Sequence, residues 1–274
     1  MKAKAVLAAA MAALAVAGWQ SVAGFEISEE LRLEIQRDVE TLEKEGPRMG
    51  DLMAALREAG ASFLPELVAS TDVDRYQTMA RRRLAYGVHA MDLTYATTFG
   101  RRAESAQCGA AVYELLEILG YPNPDMERRY REALENIDDP EGDERLSALL
   151  KEHDRNAAWQ SMLESGAGVE LVADGLYGFL LEGLYLTGEL CALSNYDPSY
   201  MMYVAYLRDS FEAYKRLLHR LGDIPELADS VERHDRLNFL VSILAIMGEL
   251  PEVGPTQLES LRPSIAKARG EIIR

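Results

Sequence analysis

Tyr86-Gly87-Val88-His89-Ala90-Met91-Asp92-Leu93-Thr94-Tyr95-Ala96-Thr97-Thr98-Phe99-Gly100 is the stretch from which the rest of the chain is best understood. Leu84, Val88, Met91, Tyr95 and Phe99 recur at steps of three and four, which makes one apolar stripe on a helix. Asp92 lies at the edge of that stripe, about 40° beyond Val88 at about 100° per residue. His89 comes three residues before Asp92, so the two share a face. A plainer echo follows in Tyr177-Gly178-Phe179-Leu180-Leu181-Glu182-Gly183-Leu184-Tyr185. Both segments carry an acid and, three residues on, a tyrosine: Asp92 with Tyr95, and Glu182 with Tyr185.

Outward from these segments almost everything has helical period, and no stretch alternates apolar and polar like a half-buried strand. Ser28 is an N-cap candidate for a helix that runs to Glu45 and stops at Gly46-Pro47. A short helix covers residues 49–59, and Thr71 or Asp72 is expected to cap the long helix that ends at Gly100. Further helices are expected over residues 102–119, 124–138, 144–165, 169–193, 198–221, 225–248 and 255–273. Pro198, Pro225 and Pro255 fall at helix starts, where a missing N–H costs nothing. Asp138-Asp139-Pro140-Glu141-Gly142 is the clearest turn, and Gly166-Ala167-Gly168 is expected to be another. Short connections between long amphipathic helices imply antiparallel neighbours. The expectation is a single all-α domain, an antiparallel multi-helix bundle or a short irregular array of helical hairpins.

The chain has 274 residues, of which 48% are hydrophobic and 27% charged, an ordinary globular balance. Lys2 and Lys4 precede an apolar run over residues 5–18, and Ser21-Val22-Ala23 offers a small-x-small cleavage pattern. Residues 1–23 therefore have the layout of a signal peptide, leaving 24–274 as a periplasmic or secreted protein. The run is short for a bilayer crossing, which needs about 20 residues. No membrane span is expected in the mature chain. The formal charge of −16 becomes −18 when Lys2 and Lys4 are removed. That excludes nucleic acid and anionic lipid as natural partners; it suits cationic partners, with solubility as the plainer account. In an exported protein Cys108 and Cys191 are open to two readings, a disulfide or two small buried hydrophobes.

A His-x-x-Asp pair can ligate a metal, and a carboxylate beside an apolar stripe can serve as acid or base. The plainer alternatives for Asp92 are a salt bridge to an arginine or a helix-packing hydrogen bond. No Glu-x-x-His is present to build a di-metal bundle site, so neither metal nor cofactor is expected. Glu170, Asp174, Gly178, Glu182, Tyr185 and Glu189 fall within one arc of roughly 120°, the pattern of a solvated face. Gly178 and Gly183 argue otherwise, because glycine inside a helix costs about 1 kcal/mol and marks close approach of a helix or ligand. Tyr196, Tyr200, Tyr203, Tyr206, Phe211 and Tyr214, with Met201 and Met202, form either a core seam or a binding groove. No nucleophile elbow, phosphate-binding loop, zinc-protease motif or calcium loop occurs.

Gly87-x-x-Ala90-x-Asp92-Leu93-x-Tyr95, a helix ending Leu116-x-x-Leu119-Gly120, and Gly178-x-x-x-Glu182-x-x-Tyr185 resemble a family of exported bacterial all-helical proteins, often lipid-anchored. The likeness spans residues 80–190, and residues 86–120 are also similar to a tetratricopeptide hairpin. This chain lacks a lipobox cysteine, and has Phe179 and Leu180 where the family has an aromatic such as Trp. The resemblance implies export, an all-helical fold and joint action of Asp92 and Glu182, without a reaction. The expected function is binding of a small ligand or a protein partner in an inter-helix groove that Asp92, Tyr95, Glu182, Tyr185 and His89 line or brace. The alternatives are a carboxylate- or metal-dependent hydrolase using Asp92 and Glu182, and a purely structural helical scaffold.

Overall fold

The computed structural model describes residues 28–45, 49–135, 162–163, 165–224, 231–247 and 254–274. The described residues form α1 (Glu29–Glu45), α2 (Met49–Glu58), α3 (Met79–Thr98), α4 (Arg102–Ile118), α5 (Pro124–Glu135), α6 (Gly166–Leu193), α7 (Pro198–Leu221), α8 (Val231–Met247) and α9 (Pro255–Ile273), with no strand among them. The all-α expectation holds. The signal-peptide segment, the turn at 138–142 and most of the helix expected at 144–165 lie outside the described residues.

Two helices organise the rest. α3 and α6 pack side by side, and their backbones meet at glycines. A Cβ on Gly87 would lie 1.9 Å from the Gly175 carbonyl oxygen, and one on Gly178 would lie 2.1 Å from that of Leu84. Only a residue without a side chain allows that approach, so the inference from Gly178 to close helix packing is correct. Pairing rises together along both helices. Arg83 meets Glu170 and Asp174, Gly87 meets Gly175, Met91 meets Gly183, and Asp92 meets Glu182. The pair is therefore parallel, whereas the short connections pointed to antiparallel neighbours. The short-loop rule governs helices adjacent in sequence, and α3 and α6 are not.

α4 packs on α3, and α7 and α9 pack on α6. α6 is long and apolar enough, by length and composition, to cross a membrane, but 72% of its apolar window is buried inside the protein. It is the central core helix. The sequence reading found no stretch long and uncharged enough to span a membrane; the difference is that α6 satisfies length and apolarity while carrying acids that the fold pairs internally.

Local chemistry accounts for the helix ends. Ser28 Oγ accepts from Leu31 N at 3.2 Å, as its N-cap role requires. Two boundaries differ from expectation. The cap of α3 is Thr78, whose Oγ1 accepts from Arg81 N at 3.2 Å, rather than Thr71 or Asp72. Residues 59–78 instead form a strap with two 3-10 turns, Pro65–Leu67 and Val73–Arg75. Gly166-Ala167-Gly168 is the first turn of α6 rather than a connection, because Ser165 Oγ accepts from Gly168 N at 3.1 Å.

The tyrosine run belongs mainly to the core seam: Phe211 and Tyr214 are fully buried, and the Tyr214 hydroxyl donates to the Ala173 carbonyl at 2.7 Å. Cys108 and Cys191 are both free and buried, so the disulfide alternative does not occur. Burial pushes both thiols up, Cys191 to about 12.

Candidate functional site

The parallel packing of α3 on α6 brings the two acid–tyrosine segments together. Asp92 and Glu182, 90 positions apart in sequence, lie within hydrogen-bonding reach of one another, and each is 0% exposed. A buried carboxylate needs a cation or a proton. α9 supplies the cation. Arg269 Nε donates to Glu182 Oε2 at 2.6 Å and its Nη2 donates to Oε1 at 2.8 Å, a two-point clamp on one carboxylate. The same Nη2 donates to the Leu67 carbonyl of the strap at 2.6 Å, and the guanidinium carbon lies 4.2 Å from the centre of the Tyr185 ring.

Asp92 has a different set of neighbours. Its Oδ2 accepts from Ala69 N of the strap at 2.9 Å, while its Oδ1 receives no N–H or hydroxyl donor among the described residues. Burial and the adjacent Glu182 charge push Asp92 well above the usual carboxylate range. Burial raises Glu182 too, against the opposing charge and hydrogen bonds of Arg269. With one guanidinium to two carboxyls, the pair favours a single negative charge, on the clamped Glu182, and a proton on Asp92.

Tyr95 and Tyr185 do unlike jobs. The Tyr95 hydroxyl, fully buried, accepts from Leu64 N at 2.9 Å, and its ring stacks on Phe63 with centroids 4.7 Å apart. Tyr185 is the half-buried ring beneath Arg269. His89 is also fully buried. Its Nε2 is 3.0 Å from the Tyr76 hydroxyl, and its Nδ1 finds no partner among the described residues. Burial first, then the charges of Arg269 and Arg75, hold His89 down at about 4, so it is neutral at pH 7. Burial pushes Tyr76 and Tyr95 up to about 12.

All five residues singled out in the sequence therefore belong to one neighbourhood, four of them fully buried and Tyr185 half-buried at its edge beneath Arg269. Sequence reasoning missed Arg269, Tyr76 and the strap backbone. A signal for Arg269 was present: Glu182 and Glu189 are seven apart on α6, and Arg262 and Arg269 are seven apart on α9. Run antiparallel, the helices pair Glu182 with Arg269 and Glu189 with Arg262. The acidic arc of α6 is accordingly a line of arginine contacts rather than a solvated face, since Glu170 and Asp174 meet Arg83, and Asp174 also meets Arg236.

Among the described residues no three His, Cys, Asp or Glu side chains converge as a metal-ligand set. Chemically, the cluster can hold and exchange one proton and can fasten three helices to the strap. No family model matches this chain, and neither a curated protein nor a solved structure does.

Proposed function

We propose that this chain is an exported all-α binding protein, acting through a surface that meets a small ligand or a protein partner, and that Asp92, Tyr95, Glu182, Tyr185 and His89 brace the helices behind that surface. The observation that carries the bracing role is the complete burial of Asp92 and Glu182 with both Glu182 oxygens taken by Arg269. A reacting carboxylate must reach substrate, and these are covered by α3, α6, α9 and the strap. The signal-like residues 1–23, the acidic balance and the likeness to exported helical proteins support the compartment.

One observation favours the hydrolase reading. Two adjacent carboxyls sharing a proton are the arrangement in which acid and base roles separate. The two readings part in a single experiment. Thermal shifts of residues 24–274 are recorded against a panel of divalent cations, beside Asp92→Ala and Glu182→Ala. Both variants melting lower with no cation changing the pattern leaves the carboxyl pair as a structural brace and sends the search to protein partners. A cation-dependent rise lost in both variants would overturn it, because binding to the native state stabilises by mass action.

A further inference from the structure

The strap is the non-helical cover of the carboxyl pair. Four of the polar contacts that hold it come from the residues around that pair: Leu64 N to the Tyr95 hydroxyl, Ala69 N to Asp92 Oδ2, the Leu67 carbonyl to Arg269, and the Tyr76 hydroxyl to His89; Arg82 Nε and the Tyr200 hydroxyl hold its ends, donating to the Tyr76 and Ala59 carbonyls. Two of the four end on the carboxyl–arginine cluster. On its other sides the cluster is closed by α3 and α6, whose backbones are already in contact at Gly87 and Gly178, and by α9. Water that is to solvate a second negative charge has its easiest way in beneath the strap.

We propose that the proton on Asp92 is the fastening of residues 59–78: while Asp92 holds its proton beside Glu182 the strap is shut, and loss of that proton lifts it from α3. The closed state has one guanidinium, that of Arg269, for the two carboxyls, and among the described residues no second cation contacts Asp92. An open strap lets water solvate both carboxylates, so opening and deprotonation are linked. The device makes the cover of this core sensitive to alkaline conditions, to which an exported protein is directly exposed.

The groups facing Asp92 and its partner come from every neighbouring element. The strap presents Tyr76, with Arg75 beside it and Glu66 behind Tyr95; α3 presents Tyr95, with His89 beside Tyr76; α4 presents Cys108, with Glu104 behind it; α6 presents Tyr185, with Glu189 behind it; α9 presents Arg269. His89, held at about 4, and Tyr76 and Tyr95, held at about 12, titrate well away from neutral pH. Asp92, pushed well above the usual carboxylate range by burial and the Glu182 charge, is thus the group whose protonation differs between shut and lifted strap. Opening that releases one proton becomes about tenfold more favourable per pH unit.

The test is amide hydrogen exchange of the full chain between roughly pH 7 and 9, corrected for the base catalysis of free amides, with Asp92→Asn alongside. Asparagine keeps an oxygen for Ala69 N and an N–H for Glu182, so it mimics a permanently protonated acid. In the wild type, corrected exchange at Leu64 and Ala69 should rise about tenfold per pH unit while the α7 amides stay unchanged. In Asp92→Asn the strap should show no such slope. Infrared spectra supply a second reading that needs no variant to fold: the carboxylic C=O band of wild type at neutral pH should fade in step with strap exchange. A flat wild-type slope, the same slope in Asp92→Asn, or no carboxylic band at neutral pH would each overturn the proposal.

Discussion

Two ion pairs join α6 to α9, and they differ in little but their distance from water. Arg269 clamps Glu182 through Nε and Nη2, and two turns away Arg262 clamps Glu189 through the same two atoms, at 3.1 and 2.7 Å. The Glu182 and Arg269 side chains are 0% and 9% exposed, those of Glu189 and Arg262 20% and 32%. The wetter pair can lose either member and leave the other to solvent, so it contributes little to stability. In the dry pair a lost partner strands a charge in the core. Identical chemistry thus becomes an optional contact at one place and an obligatory one at the other.

Removing one member of the dry pair should have the largest effect. Glu182→Ala or Arg269→Ala is expected to lower unfolding free energy by about 3–5 kcal/mol, read from urea midpoints at unchanged slope. Added salt should not diminish that difference, because a buried pair is screened little.

The same dryness acts on His89. Its folded value of about 4 lies below the unfolded value of about 6.5, so the unfolded chain binds the extra proton between them. Stability should therefore fall as pH drops through that window, by up to about 3 kcal/mol. His89→Gln should flatten this acid limb in melting curves taken at successive pH values. A limb unchanged by the substitution would show that His89 is hydrated in the folded state.

Glycines along α6 sharpen the contrast. Gly178→Ala pushes a methyl group into the Leu84 carbonyl of α3, beside the dry pair, and should cost about 1–3 kcal/mol. At Gly188, beside the wetter pair, a Cβ meets Leu258 and Arg262 only at ordinary contact distances of 3.6 and 3.9 Å. Gly188→Ala should be neutral or raise stability by up to about 1 kcal/mol through helix propensity.

The smallest effect belongs to the wetter pair itself. Glu189→Ala should change the urea midpoint by about 1 kcal/mol or less, and salt should shrink the difference further. A Glu189 effect as large as that of Glu182 would show that exposure does not separate the two.

These contrasts mark where sequence reading was sufficient. The stripe through Val88, Met91 and Tyr95, the cap at Ser28 and the prolines opening α7 and α9 are local signals, written within a few residues of their effects. Gly178 in an otherwise apolar helix also signalled close approach, because its cost needs a compensating contact. The acids of α6 were misleading. An acidic arc looks the same whether water or arginines face it, and Arg83, Arg236, Arg262 and Arg269 come from three other helices. The start of α3 was misplaced for a related reason. Thr71 and Asp72 are good caps in isolation, but Ala69 N and Leu64 N bond to Asp92 and Tyr95, and these contacts hold the chain in a strap past them.

By itself the sequence determined an all-helical chain, the ends of most of its helices, and two acid–tyrosine segments whose residues belong together. Those follow from periodicity, capping and the cost of glycine, which act over a few residues. The tertiary structure alone decided that α3 and α6 run parallel, that Arg269 satisfies Glu182, and that burial beside Glu182 holds Asp92 well above the usual carboxylate range. Which charge meets which depends on helices far apart in sequence, and only their packing removes the water that would otherwise have made the choice unimportant.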